Sequence, residues 1–189
     1  MLTPNVLYDA CVLYPAPLRD LLMHLAMTGL FRAHWTNAIH DEWMYNVLKN
    51  HPHLTKEQLQ RTRQLMDAHV LDCLIEGYEN LIETLVLRDR NDRHVLAAAI
   101  HGNVSKIITF NLRDFPKHVL DDYEIDAVHP DDFILELFQS SKEAVFTAIK
   151  RHRLSLKNPS KTIDEYLDIL AKQQIPQTVL VLRNNTSFI

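Results

Sequence analysis

Residues 91–115 read NDRHVLAAAIHGNVSKIITFNLRDF. A run of good helix formers starts at Val95 and closes near Gly102 and Asn103. A short apolar run, KIITF at 106–110, follows and reads as a buried strand. A helix feeding such a strand is half of a βαβ unit, so this stretch places the chain in the α/β class. The helix opens on Asp92, Arg93 and His94. The plain account of Asp92 is capping, because a short side-chain oxygen at Asn91 or Asp92 satisfies a free N–H and suits the positive helix end.

Outward from there the alternation continues. NVLYDACVL (5–13) is apolar on both faces, as a buried parallel strand is, with Asp9 inside it or at its end. Pro15 and Pro17 start the helix LRDLLMHLAMTG, which Gly29 stops. LFRAHW holds a short strand. Thr36 or Asn37 caps the helix NAIHDEWMYNVLKN, and Thr55–Glu57 opens KEQLQRTRQLMDAHV. LIETLVL (81–87) is expected to hold a helix end or a short strand. EIDAV (124–128) reads as a further strand, and HPDDFILELFQ as a helix with an acidic first turn. Strands alternating with helices imply a mostly parallel sheet. From Ser140 the texture changes to helical segments with polar breaks, with TVLVL (178–182) the one candidate strand. The expected organisation is a body over 1–139 and a helical extension over 140–189.

Composition narrows the function. With 189 residues, 47% hydrophobic and 23% charged, the chain suits one core with an appendage. No apolar run spans a bilayer. The N-terminal stretch has no basic segment and is broken by Pro4 and Asp9, so it does not read as a signal peptide, and a cytoplasmic location is expected. Two distant cysteines, Cys11 and Cys73, form neither a disulfide framework nor a CxxC site, and Cys11 reads as a small core residue. Three glycines, far apart, exclude a GxGxxG fingerprint and a phosphate loop. HPH at 51–53 reads as loop. A formal charge of −4 does not suit a protein that only coats nucleic acid. KRHRLSLKNPSK (150–161) holds five Lys or Arg and no acid, which fits a basic arm or a solvated helix face.

In open parallel sheets ligands bind beyond the carboxyl ends of the strands. Asp9 lies late in the first strand and Asp114 just after KIITF. Asp92 lies at a helix N-terminus, on the same edge. Three distant acids are thus expected to converge. Gathered carboxylates repel one another, and a hard divalent cation, Mg²⁺ or Mn²⁺, is their natural counter-charge. Such sites activate water and stabilise a phosphodiester under in-line attack. Glu42, beside Trp43 at the edge of an apolar helix face, is the fourth candidate, while Asp41 points elsewhere.

DACVLYPAPLRDLL, HDEW, NDRHVLAAAI and ITFNLRDFP, in that order, resemble the PIN-domain ribonucleases, most closely the VapC-like toxins of toxin–antitoxin pairs. The resemblance covers residues 4 to about 137, and RHRLSLKNPSKTIDEYLDIL is similar to the C-terminal extension of one subgroup. It implies a three-layer fold with a mostly parallel central sheet flanked by helices. It implies that Asp9, Asp92 and Asp114 bind metal, that Glu42 serves the metal-water shell, and that Thr109 and Asn111 stand close by. It implies a Mg²⁺- or Mn²⁺-dependent endoribonuclease acting on single-stranded or structured RNA, a cognate antitoxin and a homodimer. Arg19, Arg93, Lys150, Arg151 and Arg153 are candidate RNA contacts. Arg19 and Arg93 are equally candidates for ion pairs, Arg19 with Asp20 or Glu42, and His94 reads as a packing or hydrogen-bonding group. Two departures stand out. Cys11 sits where many members have Asn, and some relatives have an acid at Asn111, so Asn111 and Asp114 compete as fourth ligand. Two alternatives differ in class. A haloacid-dehalogenase-like phosphatase needs a second acid where Cys11 stands. A non-catalytic protein-interaction or RNA-binding module would keep the acids only to hold a basic partner.

Overall fold

The computed structural model describes residues 3–189. Four strands form one parallel sheet: β1 (Asn5–Tyr8), β2 (Arg32–His34), β3 (Lys106–Ile108) and β4 (Asp126–Val128), in the order β2-β1-β3-β4. From β1 the chain moves outward to β2, then crosses back to lay β3 on the other side of β1. The strand order reverses between β1 and β3, and their carboxyl ends make the crevice in which such sheets bind ligands.

The helices are α1 (Ala10–Leu13), α2 (Ala16–Ala26), α3 (Asn37–Asn50), α4 (Lys56–His69), α5 (Glu79–Ile82), α6 (Arg93–His101), α7 (Lys117–Leu120), α8 (Pro130–Ser140), α9 (Lys142–Ser155), α10 (Ile163–Ala171) and α11 (Pro176–Arg183). Among the described residues, no helix is long and apolar enough to cross a membrane. The middle of the sheet is dry: Val6, Leu7, Tyr8, Ile107 and Ile108, on the two central strands, are fully buried. So is Val95–Ala99, an entire turn and more of α6, which explains its alanines, since a helix buried all round has room only for small side chains. The helix ends at Gly102, where an added Cβ would sit 2.5 Å from Ile75 Cδ1. Gly29, with φ +75°, lets the chain turn out of α2 into β2.

The expected caps are present at Thr36, which accepts from the Ile39 N–H, and at Thr55, which forms a capping box with Gln58. Two expectations, the length of the first strand and TVLVL, need correction, and one alternative is settled. The first strand does not run to Leu13; it stops at Tyr8, where Asp9 makes the last sheet bond to Ile108 O (3.1 Å) and then heads α1. LIETLVL holds the end of α5 and no strand; its later apolar residues Leu85 and Leu87 are buried from irregular backbone. TVLVL is helical. Pro176 starts α11, and Thr178, Val179 and Leu182 are buried as it packs on α8 and α10. Burial at helical spacing outweighs the β preference of Thr and Val, which is itself mostly a packing preference.

The extension is fastened to the body. Helix α9 lies along α2, and α11 along α8. The N-terminal position of α11 is Ile175, which has no capping oxygen. Buried Asp131 on α8 supplies it, accepting from the Gln177 N–H (2.9 Å) and the Thr178 N–H (2.8 Å). The acidic first turn of α8 therefore serves a second helix as well as its own dipole.

Candidate active site

The Asp9 side chain is held by Cys11 on α1 and by Thr109, the residue after β3. It is nearly fully buried, at 3% exposure, and its Oδ2 accepts from Thr109 Oγ1 (2.7 Å) and from Cys11 Sγ (3.1 Å). Cys11 Sγ in turn accepts from the Phe110 N–H (3.3 Å), and Thr109 Oγ1 from the Asn111 N–H (2.9 Å). The two strand ends are thus laced together through one carboxylate oxygen. Burial raises the Asp9 carboxyl above its usual range, with the bonds from Thr109 and Cys11 opposing and the charge of Glu42 adding to the rise. Cys11 packs against the core as expected, and it is also a partner of the site's first acid. Thr109→Val strips the shorter of the two bonds from this buried carboxylate. It should cost about 1–2 kcal/mol, read as a lower urea midpoint at unchanged slope.

Asp92 occupies the position before α6, yet it makes no capping hydrogen bond. The cap in this segment is Asp89, which accepts from the Asn91 N–H (2.9 Å) and opens the 3₁₀ turn Arg90–Asp92. The capping account of Asp92 therefore fails. Burial, and then the charges of Asp9, Asp89, Asp114 and Glu42, push the Asp92 carboxyl up to about 7. Asp9, Glu42 and Asp114, from three other parts of the chain, are thus close enough to raise the cost of charging Asp92, and Glu42 does the same to Asp9. Asp89 belongs with them. Sequence reading passed it over, although the spacing Asp89-x-x-Asp92 on one turn was a signal for it.

Glu42 is half exposed and lies 3.4 Å from His94 Nε2, an ion pair when that ring is protonated. Asp41 points away to Arg63 (3.1 Å). Asn111 is exposed; its backbone carbonyl accepts from the Asp114 N–H (3.0 Å), making the turn that carries Asp114. It is Asp114 whose charge reaches Asp92.

The candidate RNA contacts divide. Arg19 is a correction: it is buried at 7% exposure, donates to Leu13 O (3.0 Å), lies 3.7 Å from Asp20 and stacks 4.7 Å over Trp43. Its guanidinium is committed to packing, and its partner is Asp20, not Glu42. Arg93 is half buried, 4.0 Å from Glu83. Arg153 donates to Lys161 O (3.2 Å) and closes the loop after α9. Lys150 and Arg151 are exposed.

Among the described residues, none of Asp9, Asp89, Asp92 or Asp114 makes an ion pair with a lysine or arginine. Nor, as the side chains stand, do three acids, histidines or cysteines come close enough to hold one ion. The donor set still fits a hard divalent cation: oxygen ligands only, uncompensated negative charge, and partly exposed acids free to turn toward it.

A parallel β2-β1-β3-β4 sheet with carboxylates gathered at its switch point defines the class. The PIN domain family model matches residues 5–113, and the chain belongs to that family. The model of the VapC50 C-terminal domain matches residues 130–184, from the first residue of α8 onward, giving the chain a VapC-like architecture. The chain is 39% identical over 101 residues to "Putative ribonuclease VapC50" of Mycobacterium tuberculosis (strain ATCC 25618 / H37Rv). That alignment covers 53% of this chain and 59% of the relative, so the chain spans less than two thirds of the protein it matches. No solved structure gives a significant match.

Proposed function

We propose that the protein is a divalent-metal-dependent endoribonuclease, the toxin of a toxin–antitoxin pair, acting in the cytoplasm. The observation that carries this reading is the carboxylate cluster at the β1–β3 switch point, which among the described residues has no lysine or arginine partner, and where burial and then crowding lift Asp92 to about 7. A protein that does not bind cations there has no reason to bear that repulsion. Asp9, Asp92 and Asp114 would hold the ion, with Glu42 beside them. A bound Mg²⁺ or Mn²⁺ supplies a polarised phosphate and a more acidic water. Thr109 and Cys11 occupy Asp9 Oδ2 and keep that carboxylate in one orientation. His94 restrains Glu42. The substrate is RNA with exposed single-stranded bases, since those are what a protein can read. Lys150 and Arg151 are outlying phosphate contacts from the 140–189 extension. A cognate antitoxin and a homodimer complete the reading. The non-catalytic module has no observation in its favour.

The test is cleavage of total tRNA and of a mixed RNA pool by the purified chain with Mn²⁺, Mg²⁺ or EDTA. The expected result is cleavage with either metal, none with EDTA, and new ends bearing 5′-phosphate and 3′-hydroxyl. Cleavage that persists in EDTA, or that leaves cyclic phosphate ends, contradicts the reading.

A further inference from the structure

The loop before α6 and the turn after β3 enclose a cleft of about 630 Å³, lined by Arg88, Asp89, Phe110, Asn111, Arg113 and Asp114, with Leu112 at its side. That volume is in the range of about 300–1,000 Å³ typical of small-ligand sites. Two of its walls, Asp89 and Asp114, are acids whose charge raises Asp92. The cleft therefore opens beside the carboxylate cluster. Its other charged walls are Arg88 and Arg113, both exposed. Among the described residues neither makes an ion pair or a side-chain hydrogen bond, whereas Arg19, Arg63, Arg93, Arg153 and Arg183 all do. Phe110 is half buried, set edge-on to His129 with ring centroids 5.3 Å apart, and Leu112 is 41% exposed.

An all-acid edge repels a polyanion, and the chain's net charge of −4 adds to that. Cations beside the cluster are what an RNA strand needs to approach it. The cleft beside the cluster carries two that are uncommitted among the described residues, next to an aromatic ring and an exposed aliphatic side chain. Those are the groups that hold a single-stranded nucleotide: cations for its phosphates, apolar faces for its base. We propose that this cleft is the subsite for the nucleotide next to the scissile phosphate of single-stranded RNA, with Arg88 and Arg113 on the phosphates and Phe110 and Leu112 against the base. This rests on the nuclease reading above. It places the main cationic contacts in the PIN body, beside the acids, and makes the 150–161 arm secondary.

The experiment is fluorescence anisotropy of a labelled short single-stranded RNA of mixed sequence, titrated with the full chain carrying Asp92→Asn across a series of salt concentrations. Added singly, Arg88→Ala and Arg113→Ala should each weaken binding about tenfold and flatten the slope of log affinity against log salt by about 0.7, the value for one phosphate contact on a single strand. Phe110→Leu should weaken binding with the slope unchanged, because stacking releases no counterion. Circular dichroism melts of each variant separate lost binding from lost folding. Normal binding and slope in both arginine variants, with the slope carried by Lys150 and Arg151 instead, would overturn the proposal and leave the nuclease reading standing. Poly-glutamate displacing the RNA from the parent but binding neither arginine variant would overturn it in favour of an acidic protein partner. No RNA binding by the parent chain would end both readings.

Discussion

Asp92→Asn should abolish metal-dependent RNA cleavage while making the metal-free protein more stable. The loss of activity should be about a hundredfold or more, since several kcal/mol of charge stabilisation depend on the metal site and each 1.36 kcal/mol is a factor of ten. The gain in stability follows from the burial of this charge and, after it, the repulsion of its neighbours. An aspartate in an unfolded chain titrates near 3.9. In the folded chain Asp92 titrates at about 7. Between those values the folded state holds a proton that the unfolded state has lost. Stability therefore falls as pH rises from about 4 to about 7, and the full penalty applies above 7. Asparagine carries no charge and escapes it. Asp92 is partly exposed, so solvent screens much of the effect, and about 1 kcal/mol is a sensible scale. For a chain of this size that is a rise of about 2–4 °C in melting temperature at pH 8, vanishing at pH 4. Melting curves at the two pH values check it. Mn²⁺ should reverse the order, raising the parent more than the variant, because a ligand stabilises the state that binds it. A variant that is less stable than the parent at pH 8 without metal would mean that Asp92 is structural.

Asp131→Ala should loosen the C-terminal helices. The carboxylate is 3% exposed and accepts two backbone N–H groups at the start of α11. Alanine leaves both donors without a partner, and the Thr178 N–H lies in a place water does not reach. Bonds to a charged group are worth about 1.5–3 kcal/mol each, so a loss of about 3 kcal/mol or more is expected. That corresponds to roughly 6–12 °C in melting temperature. Limited proteolysis should show where the damage lies: cleavage between 172 and 189 accelerates first, while the sheet stays protected. Asp131→Asn keeps one acceptor oxygen and should recover part of the loss. Uniform proteolysis along the whole chain would show that the body depends on α11.

The carboxylate cluster and the Asp131 cap were legible to different degrees, and the difference is physical. Asp9, Asp92 and Asp114 could be read because each lies at the end of a periodic element, and the parallel α/β rule puts such ends on one edge. Glu42 was found the same way, from the edge of an apolar helix face. Asp89 was not, because it precedes the helix in irregular backbone that carries no period. Arg19 and Asp131 were invisible for another reason. Their roles depend on partners far away in sequence, Trp43 for one and the α11 amide groups for the other. TVLVL failed because five residues of β-branched and aliphatic side chains have the same local pattern in a strand as in a buried helix.

The sequence by itself determined the α/β class, the order of the four strands and of the longer helices through residue 140, and the edge of the sheet on which the acids meet. Periodicity and punctuation encode those, residue by residue. Only the tertiary structure decided that Asp89, and not Asp92, caps the turn before α6. Only it decided that Arg19 is sealed in the core while Arg88 and Arg113 have no ion-pair partner among the described residues, and that the extension is pinned by a buried carboxylate. Local pattern specifies which elements form and which face they bury. Which charges are paired, and which are left to act, is settled by contacts between elements that the chain brings together only on folding.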